Sequence, residues 1–159
     1  MIQKKICMVG AYGAGKTSLV RRFVESMFDE RYHTTVGARI DKKVVKVNAA
    51  SIMMMIWDLA GGDETESTRL SHLRGANGYI IVVDGCRPWT LERGEILREQ
   101  IVQSFGDLPY AVAMNKSDLR AMWEFESKDM ASWENVFITS AKTGDSVESM
   151  FKTLAIKML

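Results

Sequence analysis

The stretch Gly10-Ala11-Tyr12-Gly13-Ala14-Gly15-Lys16-Thr17 decides how this chain is interpreted. It matches the pattern G-x-x-x-x-G-K-[ST], and it stands between an apolar run typical of a strand and a segment of helical period, which is the context that this pattern requires. The glycines allow backbone N–H groups to turn towards phosphate oxygens, and the following helix N-terminus adds positive potential. Lys16 can reach the outer phosphates, and the Thr17 hydroxyl can ligate Mg²⁺. The octapeptide therefore predicts a phosphate-binding loop.

Short apolar runs alternate with helical segments along the rest of the chain. The runs are bounded by Gly, Asp or Asn, as is typical of strands buried on both faces of a parallel sheet. They cover residues 6–9, 79–83, 110–114 and 136–138. Each helical segment places its apolar residues on one face, and we expect these residues to belong to the core. They are Leu19, Val20, Phe23, Val24 and Met27, then Leu97, Ile101 and Phe105, then Val147, Met150, Phe151, Leu154, Ala155 and Met158.

A hairpin is predicted between the first two helical segments. Residues 38–47 alternate loosely between polar and apolar, and residues 48–51 separate them from the apolar run at 52–57. Together the elements predict an α/β, three-layer P-loop fold. Its sheet is six-stranded and mostly parallel, with one antiparallel edge strand and helices on both faces. Ligands of such folds bind beyond the carboxyl ends of the strands, so we expect the functional residues in those loops.

Composition fits one globular domain covering residues 1–159. The chain is 47% hydrophobic and 26% charged with only 2 prolines, and no repeat or low-complexity linker divides it. Its net charge of +1 gives no global electrostatic footprint for nucleic acid or for an anionic membrane. We therefore expect no nucleic-acid partner.

Cysteine usage and the two chain ends predict a cytoplasmic protein. Cys7 and Cys86 lie in or just after apolar runs, and we expect both to be reduced thiols. The longest apolar run, residues 52–57, is far shorter than the ~20 residues that cross a bilayer. Residues 1–5 lack the apolar core of a secretory signal, and residues 157–159 lack a cysteine to prenylate, so no direct membrane anchor is expected.

The tetrapeptide Asn115-Lys116-Ser117-Asp118 follows the apolar run at 110–114, which places it on the ligand-binding edge of the predicted sheet. A carboxylate at that edge can accept two parallel hydrogen bonds from guanine N1 and its 2-amino group. Adenine lacks this donor pair and would leave the carboxylate unsatisfied. Together with the phosphate-binding loop, Asp118 predicts that the bound base is guanine.

Two further elements stand at predicted strand ends. In Trp57-Asp58-Leu59-Ala60-Gly61, the Asp58 carboxylate can hold the water shell of a magnesium ion, and Gly61 allows the backbone to approach a terminal phosphate. The segment Thr139-Ser140-Ala141-Lys142 follows the run at 136–138 and can present a backbone N–H to the guanine carbonyl. Both elements add to the prediction of a guanine-nucleotide site.

These four elements, in this order, resemble the small GTPases of the Ras superfamily over nearly the whole chain. The spacing of Thr35 and Gly37 and the segment Arg74-Gly75-Ala76-Asn77-Gly78 are similar to the Rab-like branch. The resemblance implies binding of GTP or GDP with Mg²⁺ and hydrolysis of GTP to GDP and phosphate. The nucleotide-binding residues that it implies are Gly13, Ala14, Gly15, Lys16, Thr17, Ser18, Phe28, Thr35, Gly61, Asn115, Lys116, Asp118, Ser140, Ala141 and Lys142.

The same resemblance implies roles for the metal and for switching. Thr17 and Thr35 would ligate Mg²⁺, and Asp58 would hold it through water. The residues nearest the reacting phosphate would be Lys16, Thr35, Gly61 and Gly62. Residues 29–39 and 61–74 would be ordered by the γ-phosphate and released on its loss, presenting different surfaces to effectors and regulators. The protein is expected to act as a monomer.

Two positions depart from the family pattern. Most relatives carry, after the glycine that corresponds to Gly61, a glutamine that orients the attacking water. Here the residue is Gly62, so the water is badly positioned and hydrolysis should be slow. The third loop residue, often glycine, is Tyr12, whose ring would lie near the γ-phosphate and obstruct an arginine supplied in trans.

Other interpretations stay open. The Tyr12 ring can turn outward and obstruct nothing, and Arg31, Asp63 or Glu64 can replace the missing amide at the γ-phosphate. Gly62 and Tyr12 are also compatible with a GTP-loaded scaffold that does not cycle. A kinase acting on a small molecule would need an arginine-rich lid, and the guanine-selecting residues 115–118 argue against it.

Overall fold

The computed structural model describes residues 1–25, 38–59, 70–124, 127–130 and 133–159, and these residues contain six strands and three helices. The strands are β1 (Ile2–Gly10), β2 (Ala38–Val47), β3 (Ala50–Leu59), β4 (Gly78–Asp84), β5 (Tyr110–Asn115) and β6 (Val136–Ile138). The helices are α1 (Lys16–Glu25), α2 (Trp89–Phe105) and α3 (Val147–Lys157). Short 3₁₀ turns cover Ser117–Met122 and Ser127–Met130.

One sheet contains all six strands in the order β2-β3-β1-β4-β5-β6. Every neighbouring pair is parallel except β2 and β3, which are antiparallel. The predicted mostly parallel sheet with an antiparallel edge strand is therefore confirmed. The hairpin turn is shorter than the predicted separation at 48–51, because Ala50 and Ser51 continue the ladder by pairing with Val47 and Lys46.

Helices cover both faces of the sheet, as the period-two alternation of β4 requires. Ile80 and Val82 point into the core layer under α1 and α3. Tyr79, Ile81 and Val83 point into the opposite layer under α2. Because every residue of β4 is buried, this strand carries an unbroken apolar run.

The predicted apolar faces of the helices are core. Leu19, Val20 and Phe23 of α1 are buried, and the Phe23 ring stacks on that of Phe151 in α3 with centroids 4.0 Å apart. All six predicted core residues of the third helical segment are buried, whereas Met27 lies outside the described residues. Cys7 and Cys86 are both free thiols, as predicted. No described helix is long and apolar enough to cross a membrane.

The sheet brings the chemically informative segments to one edge. β1, β3, β4, β5 and β6 run in the same direction, so the loops at their carboxyl ends are neighbours. The phosphate-binding loop follows β1 at the centre of this edge. Segments from β3 lie on one side of it, and segments from β4, β5 and β6 lie on the other.

Candidate nucleotide-binding site

The phosphate-binding loop is closed by its own lysine. The Lys16 ammonium donates to the Gly10 carbonyl at 2.9 Å and to the Ala11 carbonyl at 3.2 Å, and the residue is only 7% exposed. Gly15 has φ +103°, and a Cβ there would lie 2.3 Å from the side-chain nitrogen of Asn115. Only glycine fits at this position, because any side chain would collide with Asn115 of residues 115–118, the predicted base-recognition segment.

Asn115, the last residue of β5, joins three segments of the site. Its Nδ2 donates to the Ala14 carbonyl of the phosphate-binding loop at 3.1 Å. Its Oδ1 accepts from the Thr139 hydroxyl at the end of β6 at 3.2 Å. The amide therefore holds the phosphate-binding loop against the two segments that are predicted to recognise the base.

Asp118 and the segment after β6 form the other wall of the base-recognition region. The Ser140 hydroxyl donates to Asp118 Oδ1 at 2.7 Å, which orients the carboxylate that is expected to read guanine. Arg22 of α1 donates through Nε to the Ala141 carbonyl at 2.7 Å and through a second nitrogen to the Lys142 carbonyl. With these carbonyls held by α1, the loop is fixed against the helix that begins at the phosphate-binding loop.

Lys116, in the same tetrapeptide, is held by an aspartate at the end of β4. Lys116 Nζ donates to Asp84 Oδ2 at 2.7 Å, and Arg87 Nε donates to the same oxygen at 2.8 Å. The backbone N–H of Cys86 donates to Asp84 Oδ1 at 2.8 Å. Burial alone would raise the pKa of Asp84, but these three donors outweigh it and hold that pKa below its usual range.

Thr17 and Asp58, two residues predicted to hold Mg²⁺, lie on the β3 side of the phosphate-binding loop, which we call the metal side. The Thr17 hydroxyl donates to Asp58 Oδ2 at 2.5 Å, so a hydroxyl and a carboxylate converge beside the phosphate-binding lysine. Asp58 Oδ1 is buried without a hydrogen-bond partner in the ranges that the structure describes. Burial raises the pKa of Asp58, opposed by the Thr17 hydrogen bond and the Lys16 charge.

This donor set fits Mg²⁺ bound together with a nucleotide. Magnesium prefers oxygen ligands and keeps several waters, and a water of its shell would supply the donor that Asp58 Oδ1 lacks. Among the described residues no group of three or more His, Cys, Asp or Glu forms an all-protein metal site. An ion here would therefore share its coordination with phosphate oxygens and water.

Comparison with known sequences agrees with this geometry. Residues 5–159 match the profile of the Ras family. The chain belongs to the Ras family. It is 34% identical to Ras-related protein RABF2b of Arabidopsis thaliana and 34% identical to Ras-related protein Rab5 of Nicotiana tabacum, in each case over 99% of this chain and 82% of the relative. It is 32% identical to Ras-related protein Rab-7a of Dictyostelium discoideum over 95% of this chain and 80% of the relative.

Membership establishes the general activity of the chain. It is a Rab-like small GTPase of the Ras superfamily, and its class is that of the GTP-binding molecular switch. The six-stranded P-loop α/β fold agrees with that class.

The described part of this Ras-family chain brings most of the predicted site residues to the same sheet edge. Gly13, Ala14 and Gly15 lie in the loop and Lys16, Thr17 and Ser18 open α1; Asn115, Lys116 and Asp118 lie at and after the end of β5, and Ser140, Ala141 and Lys142 after β6. Asp58 lies inside β3, one residue before its end, rather than after the strand. Phe28, Thr35, Gly61 and Gly62 lie outside the described residues, as do Arg31, Asp63 and Glu64. The ligand roles of all these residues stay predictions.

Sequence reasoning missed Asp84, Arg87 and Arg22. Asp84 left a signal that could have been used, because it directly follows the apolar run at 79–83 and pairs in register with Asn115. Arg87 and Arg22 left none, since each contacts segments far away along the chain. Arg87 donates to the Tyr12 carbonyl, and Arg22 donates to carbonyls more than a hundred positions later.

Proposed function

We propose that this Ras-family chain binds GTP and GDP with Mg²⁺ and hydrolyses GTP slowly, cycling between two states that different protein partners recognise. The observation that carries the proposal is the convergence of four segments at one sheet edge. Lys16 closes the phosphate-binding loop, Asn115 ties that loop to the base-recognition segment, and the Thr17–Asp58 pair stands on the metal side. We infer that the whole chain, residues 1–159, is a single GTPase domain acting as a cytoplasmic monomer.

Each part of the site has a physical task in this proposal. Lys16 and the N–H groups of residues 13–18 neutralise and orient the phosphates, which is the main contribution that a protein makes to phosphoryl transfer. The Asp118 carboxylate, oriented by the Ser140 hydroxyl, selects guanine. A bound Mg²⁺ would supply positive charge that offsets the negative charge of the phosphates. Thr17 and Asp58, with Thr35, would hold it, Asp58 through water.

The proposed slowness depends on Gly62 and Tyr12. A glycine has no side chain with which to orient an attacking water, and misplacement of a reacting group can cost on the order of 10²-fold in rate. Tyr12 is 44% exposed, so its side chain is not packed into the core, and we propose that it obstructs an arginine that an activating protein would supply.

We also propose that residues 29–39 and 61–74 form the surfaces that effectors and regulators contact. Residues 38–39 and 70–74 are described: Arg39 pairs with Asp41 at 3.1 Å, and Leu73 is buried. The rest of both segments lies outside the described residues. The proposal includes no nucleic-acid partner.

Single-turnover hydrolysis tests the proposed function. Purified protein loaded with GTP and Mg²⁺ should form GDP slowly. Chromatography of the bound nucleotide at successive times measures the fraction converted to GDP. Gly62→Gln should accelerate hydrolysis by about 10²-fold, because it restores an amide that can orient water. Gly62→Ala is the matched control, since it adds a Cβ without an amide and should leave the rate unchanged.

Tyr12 is tested in the same assay with Tyr12→Gly and Tyr12→Phe. The glycine variant should respond to an arginine-supplying activating protein of the family, whereas the phenylalanine variant should behave as the original chain.

Fast hydrolysis by the unsubstituted protein, within a few-fold of the Gly62→Gln rate, would contradict the account. It would direct attention to Arg31, Asp63 and Glu64 as replacements.

A second function is favoured by the same two departures: a GTP-loaded interaction module that does not cycle. Both Gly62 and Tyr12 stand where cycling relatives usually carry other residues. The two functions differ in one outcome of the assay. If Gly62→Gln still forms no GDP while GTP remains bound, the non-cycling module is the better description.

A further inference from the structure

We propose that Arg87 is a positioning residue of the nucleotide site, which ties the phosphate-binding loop to the base-recognition segment and so slows nucleotide release. The inference rests on the proposed function, because it concerns how that site holds its nucleotide. Arg87 lies in the loop between β4 and α2, outside every motif that identified the site. Its guanidinium nevertheless contacts two segments of the site at once.

Two nitrogens of the Arg87 side chain make these contacts. Nε donates to Asp84 Oδ2 at 2.8 Å, and Nη2 donates to the Tyr12 backbone carbonyl at 2.8 Å. Lys116 donates to the same Asp84 oxygen, so the contacts form a chain from the base-recognition segment through Asp84 and Arg87 to the phosphate-binding loop. A planar guanidinium suits this bridge because its donors are held at fixed angles to one another.

The position of Arg87 is itself fixed by buried groups. Its backbone N–H donates to the Asp84 carbonyl at 3.0 Å, and its carbonyl accepts from the Thr90 hydroxyl at 2.7 Å. Thr90 is fully buried and also accepts from the Asp84 N–H at 2.9 Å. The guanidinium carbon lies 5.2 Å from the centre of the Trp89 ring. The arginine therefore reaches the loop from a rigid turn.

The contact with Tyr12 bears on phosphate binding through the geometry of a single peptide group. The Tyr12 carbonyl and the Gly13 N–H belong to the same planar trans peptide, so they point in opposite directions. Arg87 holds the carbonyl outward, which turns the Gly13 N–H towards the inside of the loop where phosphate oxygens would bind. A charged donor on the carbonyl also polarises the peptide and strengthens the N–H as a donor.

Gly13 shows how closely the guanidinium lies against this peptide. A Cβ at Gly13 would lie 3.2 Å from Arg87 Nη2, tighter than ordinary van der Waals contact, and Gly13 has φ +74°. Arg87 is 33% exposed by its side chain, so the bridge lies at the rim of the site. The residue acts on the nucleotide through the loop, and the proposal assigns it no contact with the reacting atoms.

The experiment measures release of GDP and of IDP, which lacks the 2-amino group of guanine, from the full chain with Mg²⁺. Arg87→Gln should release both nucleotides about tenfold faster, the effect expected when the phosphate-binding loop loses the charge-assisted hydrogen bond to the Tyr12 carbonyl. The ratio of the two rates should stay that of the original chain, because Gly13 faces phosphate and not the base. Arg120→Gln is the matched control, since it removes an exposed arginine whose guanidinium lies over Trp123.

Arg87→Lys keeps the charge but not the fixed fork, and its release rates should fall between those of the original chain and Arg87→Gln. If Arg87→Gln does not fold, an Arg87→Lys variant with unchanged release would still overturn the proposal. Unchanged release from Arg87→Gln would overturn it as well. A changed GDP-to-IDP ratio would also overturn it, because Arg87 would then act on the base pocket. An original chain that does not retain GDP would instead overturn the proposed function itself.

Discussion

Asp58 and Asp84 stand at matching places on either side of the phosphate-binding loop, yet their surroundings differ. They lie at the carboxyl ends of β3 and β4, the two strands that flank β1, and each is only 1% exposed. Asp84 receives hydrogen bonds from Lys116, Arg87 and the Cys86 N–H. Asp58 receives one from Thr17, and its second oxygen has no partner among the residues described.

This difference separates a structural carboxylate from one prepared for a ligand. A buried charge costs free energy unless it is paired and hydrogen-bonded, so Asp84 is stabilised by the protein itself. Asp58 Oδ1, in contrast, has no donor among the residues that the structure describes. On the base side of the loop the protein satisfies its own polar groups. On the side of the predicted Mg²⁺ site, one Asp58 oxygen has no partner among the described residues, and we propose that a water of the Mg²⁺ shell donates to it.

The largest expected effect is a loss of selectivity for guanine when Asp118 is replaced. Asp118→Ala removes the carboxylate that Ser140 orients, and with it the two hydrogen bonds expected to select guanine. We expect the preference for GDP over ADP to fall by about 10³-fold, because only an unsatisfied carboxylate penalises adenine. Competition between the two nucleotides for the purified protein measures this. Asp107→Asn, at an exposed aspartate outside the site, is the control.

Retained guanine preference in Asp118→Ala would show that residues 115–118 are not the base-reading segment. Guanine recognition would then have to be assigned to other residues, although the hydrogen bonds that Asp84 accepts would be unaffected.

A smaller effect is expected on stability, and it should separate the two carboxylates directly. Asp84→Asn leaves Lys116 and Arg87 without their shared anion, and we expect the free energy of unfolding to fall by about 2 kcal/mol. Asp58→Asn removes a buried charge with one unpaired oxygen, so stability without nucleotide and with EDTA should stay level or rise by up to about 1 kcal/mol. Urea unfolding of both variants checks the contrast.

Equal losses of stability in the two variants would contradict the distinction drawn between them. Because the variants are isosteric, differences in packing volume cannot produce the contrast.

The smallest effect is a dependence on pH. The folded-state pKa of Asp84 lies below its ordinary value of 3.8. The stabilisation from its ionised form is therefore complete above about pH 5 and is lost as the pH falls through the folded pKa. The difference in unfolding free energy between the original chain and Asp84→Asn should shrink over this acid range. A difference that stays constant from pH 6 to pH 3 would contradict the assignment of the donors to ionised Asp84.

The two carboxylates also show how far sequence could lead. Asp58 could be identified as a candidate site residue at a strand end, because it follows an apolar run and stands three residues before Gly61, a spacing found in the Ras superfamily. The sheet, the hairpin and the helix faces could be predicted from periodicity, which depends on neighbouring residues only. The prediction that residues 48–51 separate the two strands was wrong for Ala50 and Ser51. Neither residue carries a strong strand signal, yet both pair with β2.

The network around Asp84 could not be predicted in the same way. Lys116 lies 32 positions from Asp84, and Tyr12 lies 75 positions from Arg87, so their contacts exist only after the sheet has formed. Asp84 did mark the end of a strand. Nothing in the sequence distinguished a carboxylate that two cations would satisfy from one left open for a ligand.

The most direct test of the account is the rate of GDP release with Mg²⁺ and with EDTA, measured for the original chain, Asp58→Asn and Asp84→Asn. Removal of Mg²⁺ should accelerate release from the original chain by about 10²-fold, because the nucleotide would lose a cation that offsets the charge of its phosphates. The account predicts that this acceleration nearly vanishes in Asp58→Asn and persists in Asp84→Asn. Persistence of the acceleration in Asp58→Asn, whatever Asp84→Asn shows, would contradict it.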